Sequence, residues 1–558
     1  MTPHHDDGPR GGRTLDLALL ALAVAFALGA RLLIGARQYV EYDGYWHVFI
    51  AGQHDLRASW AEARQNAHPP LYFLLLRLAL ALGRTLLAYR AVSIAAGLAA
   101  VALAWRAARG LTRTPVGPAL AAGMMAAGLP ALIVSLEVRS YMLAAAFQLG
   151  ALVYWVEVAG LGGPAPGRRA RVLFAVLASA AVLSHYGSVF FLAACAAAPV
   201  ILAALDGGYR RALASRLRRA WPADVATAAA PLAVTAVLVL AHVRGLDVRF
   251  NHLPGFYYSP PAESPAAFLA RTLPATFGLF APGGTRAAGL ALAALAAAAS
   301  GLLLVRARVG GAETGRAAPA AVLLVMCAAI AAAALRGVYP FGGALRHQFF
   351  LFPFLVLTLA AAADLAAQRL PARWRALAAC ATLAVALTYG AARVARFPIT
   401  PRGPFAAPVE AWTRAFPRPQ AVFVDHFNLI GLFSERHQWD WRALPARGGL
   451  ANVDEYEVTR GAERLRVVHR RRWNVDFRQR GAWQDLRRIL EVTGLPSLTT
   501  FVVRQFPDAR SERQQERLAR TLDGLAREAG LEVMRLELQG QDVYGEFRLS
   551  DARRGGPG

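Results

Sequence analysis

The chain has 558 residues, 56% of them hydrophobic and only 17% charged, and its apolar residues come in runs of roughly 20, the length that crosses a bilayer. That excludes a soluble globular protein for most of the first 395 residues. The formal charge of +25 comes entirely from arginine, against a background rich in Ala, Gly and Pro. This is the residue usage of a GC-rich genome, so basicity by itself does not argue for a nucleic-acid partner, and none is expected.

In chain order, a cytoplasmic arm over 1–14 carries Arg10 and Arg13 and leads into a first apolar run, Leu15–Ile34. Small residues near Ala30 offer a signal-peptide reading, but the many spans that follow favour a retained first span. About eleven spans are expected, near 15–36, 90–109, 116–134, 140–160, 171–184, 187–205, 223–243, 286–306, 318–336, 348–366 and 374–393. Arginines cluster in Arg106–Arg113, Arg168–Arg171, Arg210–Arg219, Arg306–Arg316 and Arg369–Arg375, and span counting puts every cluster on one side. The positive-inside rule makes that side the cytoplasm of a multi-pass bacterial inner-membrane protein. The apolar segment 69–88 would reverse every later loop if it crossed. Arg77 and Arg84 share one helical face, which suits a helix lying in the interface. Cys195, Cys327 and Cys380 all fall inside apolar runs, so neither a disulfide framework nor a thiolate metal site is indicated.

The loops then predicted to face out, 37–89, 135–139, 244–285 and 337–347, hold most of the polar residues worth following. The first reads Glu41-Tyr42-Asp43-Gly44-Tyr45-Trp46-His47 and closes on His68-Pro69-Pro70-Leu71. Glu137-Val138-Arg139-Ser140-Tyr141 follows a span, Ser184-His185-Tyr186 sits at a hairpin turn, and Arg346-His347-Gln348 precedes Phe352-Pro353.

This set resembles the membrane glycosyltransferases of the GT-C fold, most of all the protein O-mannosyltransferase and aminoarabinose-transferase group. The likeness rests on His68-Pro69-Pro70-Leu71-Tyr72-Phe73-Leu74, on Gly83 and Tyr89-Arg90-Ala91-Val92-Ser93, on Asp43 ahead of Tyr45-Trp46, on Glu137-Val138-Arg139-Ser140-Tyr141 and on Arg346 with Phe352-Pro353. It covers roughly 15–395. The family often has Asp-Glu where this chain has Asp43-Gly44, and Glu41 is either a displaced second acid or no substitute for it.

The resemblance implies a helical polytopic membrane protein that transfers a sugar from a polyprenyl-phosphate donor, among membrane lipids, to an extracytoplasmic acceptor that is protein, lipid or glycan. Such a transfer needs an acid near the anomeric carbon to activate the acceptor, and Asp43 is the candidate general base. The departing phosphate gathers negative charge, which Arg139, Arg346 and Arg90 are suited to meet; His68, Tyr141, His185 and His347 complete the expected donor site. Asp43 and Glu137 are hard oxygen ligands for Mg²⁺ or Mn²⁺, with His68 or His185 assisting if the metal is zinc. Plainer readings stand beside these: Asp43 as a solvated loop acid, His68 as a turn cap, Glu137 with Arg139 as an interfacial ion pair, and His185 as a wet boundary residue. Phe250, Phe256, Tyr257, Tyr258 and Phe268, in a loop with Pro260, Pro261 and Pro265, read first as interfacial anchors.

After Arg396, a Pro-rich connector from Pro398 to Pro404 leads into an extracytoplasmic α/β domain, 396–558. Val422–Val424 and Thr500–Val503 read as buried strands, 511–529 as a helix with a Ser511/Gln514 capping box and a stop at Gly530, and Val543–Leu549 as a last strand. Asp425-His426 reads as a strand-end turn. No nucleotide-phosphate loop is present, which disfavours a soluble sugar-nucleotide transferase. Two other classes remain. A lipid-linked-sugar transporter would need repeated halves with matching broken helices, and a non-catalytic scaffold would fit the missing second acid.

Overall fold

The computed structural model describes residues 10–161, 166–245, 255–260, 262–445, 452–471, 475–503, 511–539 and 541–550. The arm expected at 1–14 falls outside the described residues as far as residue 9, as do Phe250 and Pro261. The chain forms two compact units. One comprises residues up to Arg37, Trp60–Leu82 and Leu86–Ile399; the other comprises Gln38–Ser59, Gly83–Thr85 and the residues from Thr400 on.

The first unit is a helical bundle. Among the described residues nine helices are long and apolar enough to cross a membrane, and Val116–Ala127 with Leu129–Leu136, bent by 47°, makes a tenth. The remaining predicted span, 171–184, is the 17-residue helix Arg168–Ser184. Three arginines occupy its start, leaving an apolar length of about 20 Å at 1.5 Å per residue. That is short of a hydrocarbon core of about 30 Å. It still carries the chain from one end of the bundle to the other, because His185, which follows it, lies 4.8 Å from the ring of Tyr141 at the start of Tyr141–Val158. Segment 69–88 becomes the shorter apolar helix Pro70–Leu82. Pro69 is extended and Pro70 supplies the first helical residue, where its missing N–H is harmless.

The bend in the tenth span has an identifiable cause. Gly128 is extended, and Pro130 has no N–H to offer the carbonyl of Ala126 four residues earlier. Arg31 of the first span supplies donors instead, Nη1 to Ala126 O at 3.2 Å and Nη2 to Met125 O at 3.3 Å. Gly97 admits the guanidinium, since a Cβ there would stand 2.9 Å from Arg31 Nε. Arg31 is fully buried in an otherwise apolar run, a placement lipid tolerates only for a paired cation. We expect Arg31→Met to lower the melting temperature of the detergent-solubilised protein, at about 1–3 kcal/mol for each carbonyl left unmatched. An unchanged temperature would show that other donors replace it.

At the end of the bundle away from Tyr141, a buried polar network ties the loops together. Asp364 accepts from Thr114 N at 2.8 Å, Thr114 Oγ1 at 2.6 Å and Arg113 N at 3.0 Å. Arg316 bridges Glu313 at 2.8 Å and Asp364 at 3.8 Å, and Thr314 donates to Asp206 at 2.6 Å. Arg109, Arg113, Arg171, Arg216, Arg306 and Arg316 of the basic clusters are each paired with a carboxylate.

The second unit is an α/β domain. Its strands are β1 (Ala421–Asp425), β2 (Asp440–Ala443), β3 (Val453–Arg460), β4 (Glu463–Arg470), β5 (Leu498–Val502), β6 (Leu531–Gln539) and β7 (Asp542–Leu549), in sheet order β2-β3-β4-β1-β5-β7-β6. β4, β1 and β5 run parallel, with Phe423 beside Val468 and Thr500; the other pairs are antiparallel. Helices Arg480–Thr493 and Glu512–Glu528 cover one face through Trp483, Leu486, Ile489 and Leu522, packed on Phe423, Val468 and Phe547. Helices Ala406–Ala415 and His426–Arg436 pack against the strands with other residues, among them Trp412 on Phe501. The Ser511/Gln514 capping box is complete, and Asp425 caps the helix that follows it by accepting from Asn428 N at 2.8 Å.

Candidate functional site

Four segments far apart in sequence meet at one end of the helical bundle, and each is delivered by a local device. His68 precedes the rigid Pro69-Pro70 entry to its helix. Glu137–Ser140 forms the short connection between Leu129–Leu136 and Tyr141–Val158. His185 caps Arg168–Ser184, and Leu345–Gln348 is a single turn leading into Phe352–Ala367.

The geometry is close. His68 Nδ1 lies 3.2 Å from Ser140 Oγ, and its ring is 5.5 Å from Tyr141 and 5.8 Å from His185. Tyr141 is 4.8 Å from His185 and 6.3 Å from His347, ring to ring. Arg139 Nη1 reaches the Tyr141 hydroxyl at 3.4 Å, with Cζ 5.9 Å from the ring centroid. His347 stands in electrostatic reach of Arg346, His185 and Arg139. Of the residues expected from the sequence, His68, Arg139, Tyr141, His185, Arg346 and His347 are thus brought together.

Two features define the state of this cluster. His185 Nδ1 accepts from Gly187 N at 3.0 Å, so the neutral ring carries its proton on Nε2. Burial, and then the Arg139 guanidinium, push His185 down to about 4, so it is neutral at physiological pH. The fixed positive charges of the site are those of Arg139 and Arg346, with the neutral His185 beside them.

Supporting hydrogen bonds come from Tyr72 and Ser93, which the sequence motifs contain without an expected role. Ser93 Oγ donates to Arg139 O at 3.2 Å and so receives the Tyr72 hydroxyl, at 3.0 Å. That chain links the Pro-Pro helix, the Leu86–Leu111 helix and the Arg139 backbone. Arg90, expected from the resemblance to meet the departing phosphate, is instead buried on backbone carbonyls. Its guanidinium donates to Leu136 O at 2.7 Å and Gly35 O at 3.0 Å, holding the residues just before Glu137. Arg31, an arginine inside an apolar run, is a further supporting residue whose sequence signal is its placement in that run.

Among the described aromatic residues of the 244–285 loop, Phe256 packs on the protein. Phe256 lies over Gly342 and Gly343, both with positive φ, and its carbonyl accepts from Phe341 N at 3.0 Å. Gln348 Nε2 donates to Pro340 O at 2.8 Å, and Tyr339 donates to His347 O at 2.9 Å. The turn bearing Arg346 and His347 is braced from that side.

Glu41 and Asp43 belong to the second unit. Asp43 lies in the first turn of helix Tyr42–Ala51, and its carbonyl meets His47 Nδ1 at 2.6 Å; Glu41 is the exposed residue ahead of that helix. Glu137 is partly exposed at the C-cap of Leu129–Leu136. Among the described residues no three His, Cys, Asp or Glu side chains gather as a metal-binding group. Neither Asp43 and Glu137, expected to hold Mg²⁺ or Mn²⁺, nor His68 and His185, expected to assist with zinc, belong to such a group.

No protein-family model matches the sequence, and neither does any curated protein. Among solved structures, ArnT from Cupriavidus metallidurans bound to undecaprenyl phosphate is 16% identical over 73% of this chain and 70% of its own, with a TM-score of 0.40. The Archaeoglobus fulgidus oligosaccharyltransferase in complex with Zn and sulfate is 12% identical over 96% of this chain and 73% of its own, at 0.46. Arabinosyltransferase EmbB from Mycobacterium smegmatis is 15% identical over 71% of this chain but only 42% of its own, at 0.29. At these identities and scores the likenesses are distant, and the functional case rests on the residues of this chain.

Proposed function

We propose that the chain is an integral membrane glycosyltransferase of GT-C type that takes a sugar from a polyprenyl-phosphate carrier and passes it to an acceptor on the extracytoplasmic side of a bacterial inner membrane. The observation that carries this reading is the joining of His68, Arg139, Tyr141, His185 and His347, from remote segments, at one end of a membrane bundle. Two guanidiniums among further hydrogen-bond donors suit a phosphate whose charge grows as the sugar leaves. In this reading Arg139 and Arg346 meet the phosphate oxygens, and His185 Nε2–H, Tyr141 and His68 orient it. Asp43 takes the proton of the acceptor nucleophile as it attacks the anomeric carbon, and the carrier departs as the polyprenyl phosphate.

The transporter reading gains one broken span, but its freed carbonyls are matched by Arg31, and no second bent pair occurs among the described residues. The direct test offers membranes bearing the protein a panel of labelled polyprenyl-phosphate sugars, with and without chelator. We expect one donor to be consumed, with label passing to a product other than the carrier. A folded protein that consumes none of them supports the non-catalytic scaffold instead.

A further inference from the structure

The second unit contains, besides the sheet domain, a helix from the first loop. In Tyr42–Ala51 the residues Tyr42, Tyr45, Trp46 and Phe49 recur at three- and four-residue spacing, so their rings share one helical face. Every residue from Gly44 to Ala51 is buried.

That face lies on helix His426–Arg436 and on the β2–β3 hairpin. Tyr42 is 5.0 Å from Phe427, Trp46 is 4.9 Å from His426, and Tyr45 is 5.3 Å from His437. Phe49 is 5.3 Å from Phe433 and 5.5 Å from Tyr456. The approach to the helix is tied as well. Tyr39 N donates to Thr400 O at 2.8 Å, Thr400 N donates to Gln38 Oε1 at 2.9 Å, and a Cβ on Gly403 would overlap the Tyr39 ring. Burial, and then His469, push His426 down to about 3; burial, and then Arg84, push His437 down to about 4. Both imidazoles are therefore neutral partners for the aromatic rings.

The place of this contact in the sheet is informative. His426 follows Asp425, the last residue of β1, and β1 lies between its two parallel neighbours β4 and β5. Open α/β sheets take their ligands beyond the carboxyl ends of the strands, at the point where strand order turns. Here Trp46 stands at that rim.

We propose that the α/β domain acts as the holder of the Asp43 helix: its rim and helix His426–Arg436 receive the Tyr42–Phe49 face and fix where Asp43 stands. His426 and Phe433 are then positioning residues that act through the helix. The inference rests on the transferase reading for its consequence in catalysis, while the holding itself is independent of that reading.

The test uses the full chain in lipid nanodiscs, with hydrogen exchange of amides 44–51 read beside steady-state transfer. Wild-type amides 44–51 should be protected. Phe433→Ala and, from the helix side, Phe49→Ala should each raise their exchange about tenfold. Each should also lower kcat about tenfold with the donor KM unchanged, and Phe433→Leu should restore both. Unchanged exchange of 44–51 in both alanine variants overturns the holding, whatever the activity. Raised exchange with full kcat overturns its catalytic role. If Phe433→Ala loosens the whole sheet domain, Phe49→Ala, which leaves the sheet's own residues intact, decides alone. Wild-type protein with protected amides but no transfer of any donor refutes the transferase reading and leaves the holder standing.

Discussion

Asp43→Asn should reduce sugar transfer by about 10²–10⁴-fold, the contribution of a positioned general base. The substitution keeps the shape and hydrogen-bonding reach of the side chain and removes only its ability to take a proton. The Asp43 carbonyl, which meets His47, is untouched, so helix Tyr42–Ala51 should stay formed. The prediction is checked by single-turnover transfer with saturating labelled donor, alongside donor binding. We expect rate to fall and binding to hold. Retained rate would move the base elsewhere, with Glu41→Gln as the next measurement, because Glu41 is the acid nearest Asp43 in sequence and stands exposed just before the helix.

Arg139→Ala should lower kcat/KM by about 10²–10³-fold, the scale of removing one preorganised donor aimed at developing charge. Its backbone is held through Ser93 and its side chain lies along Tyr141, so the cation is fixed before any ligand arrives. Arg139→Lys should recover part of the loss, because an ammonium keeps the charge but not the planar fork. Binding of polyprenyl phosphate without sugar should weaken in parallel. If carrier binding is unaffected by Arg139→Ala, the phosphate role of this residue is refuted. Ser93→Ala should give a smaller loss of the same kind, since it moves Arg139 without removing it.

Much of the site was legible in the sequence because its residues break their surroundings. A His before Pro-Pro, an acid and an arginine between two apolar runs, and a His at a hairpin turn are each conspicuous where lipid tolerates few polar groups. What the sequence concealed was the division of labour among the arginines. Arg31 and Arg90 carry the same charge as Arg139, yet they bind backbone carbonyls released by a bend or a helix end. Which carbonyls need donors depends on chain segments about 50 to 100 residues away, a separation across which no local pattern carries information.

By itself the sequence determined that this is a membrane protein, where its long apolar helices run, which loops carry its polar residues, and that an α/β domain follows. Those conclusions rest on hydropathy runs, alternation and capping, all read within a few residues. In the C-terminal domain β1, β5, β7 and the capped helix Glu512–Glu528 were expected, because buried apolar runs and a capping box are local signals. The hairpin of β3 and β4 was not, because its charged residues alternate among apolar ones and only pairing across Gly461 makes them strands. Tertiary structure alone decided two further points. It joined His68, Arg139, Tyr141, His185 and His347 at one end of the bundle, and it assigned the first-loop helix to the C-terminal unit. The physical reason is the same in both: aromatic and polar side chains are neutral as to partner until the fold brings a complementary surface within contact distance.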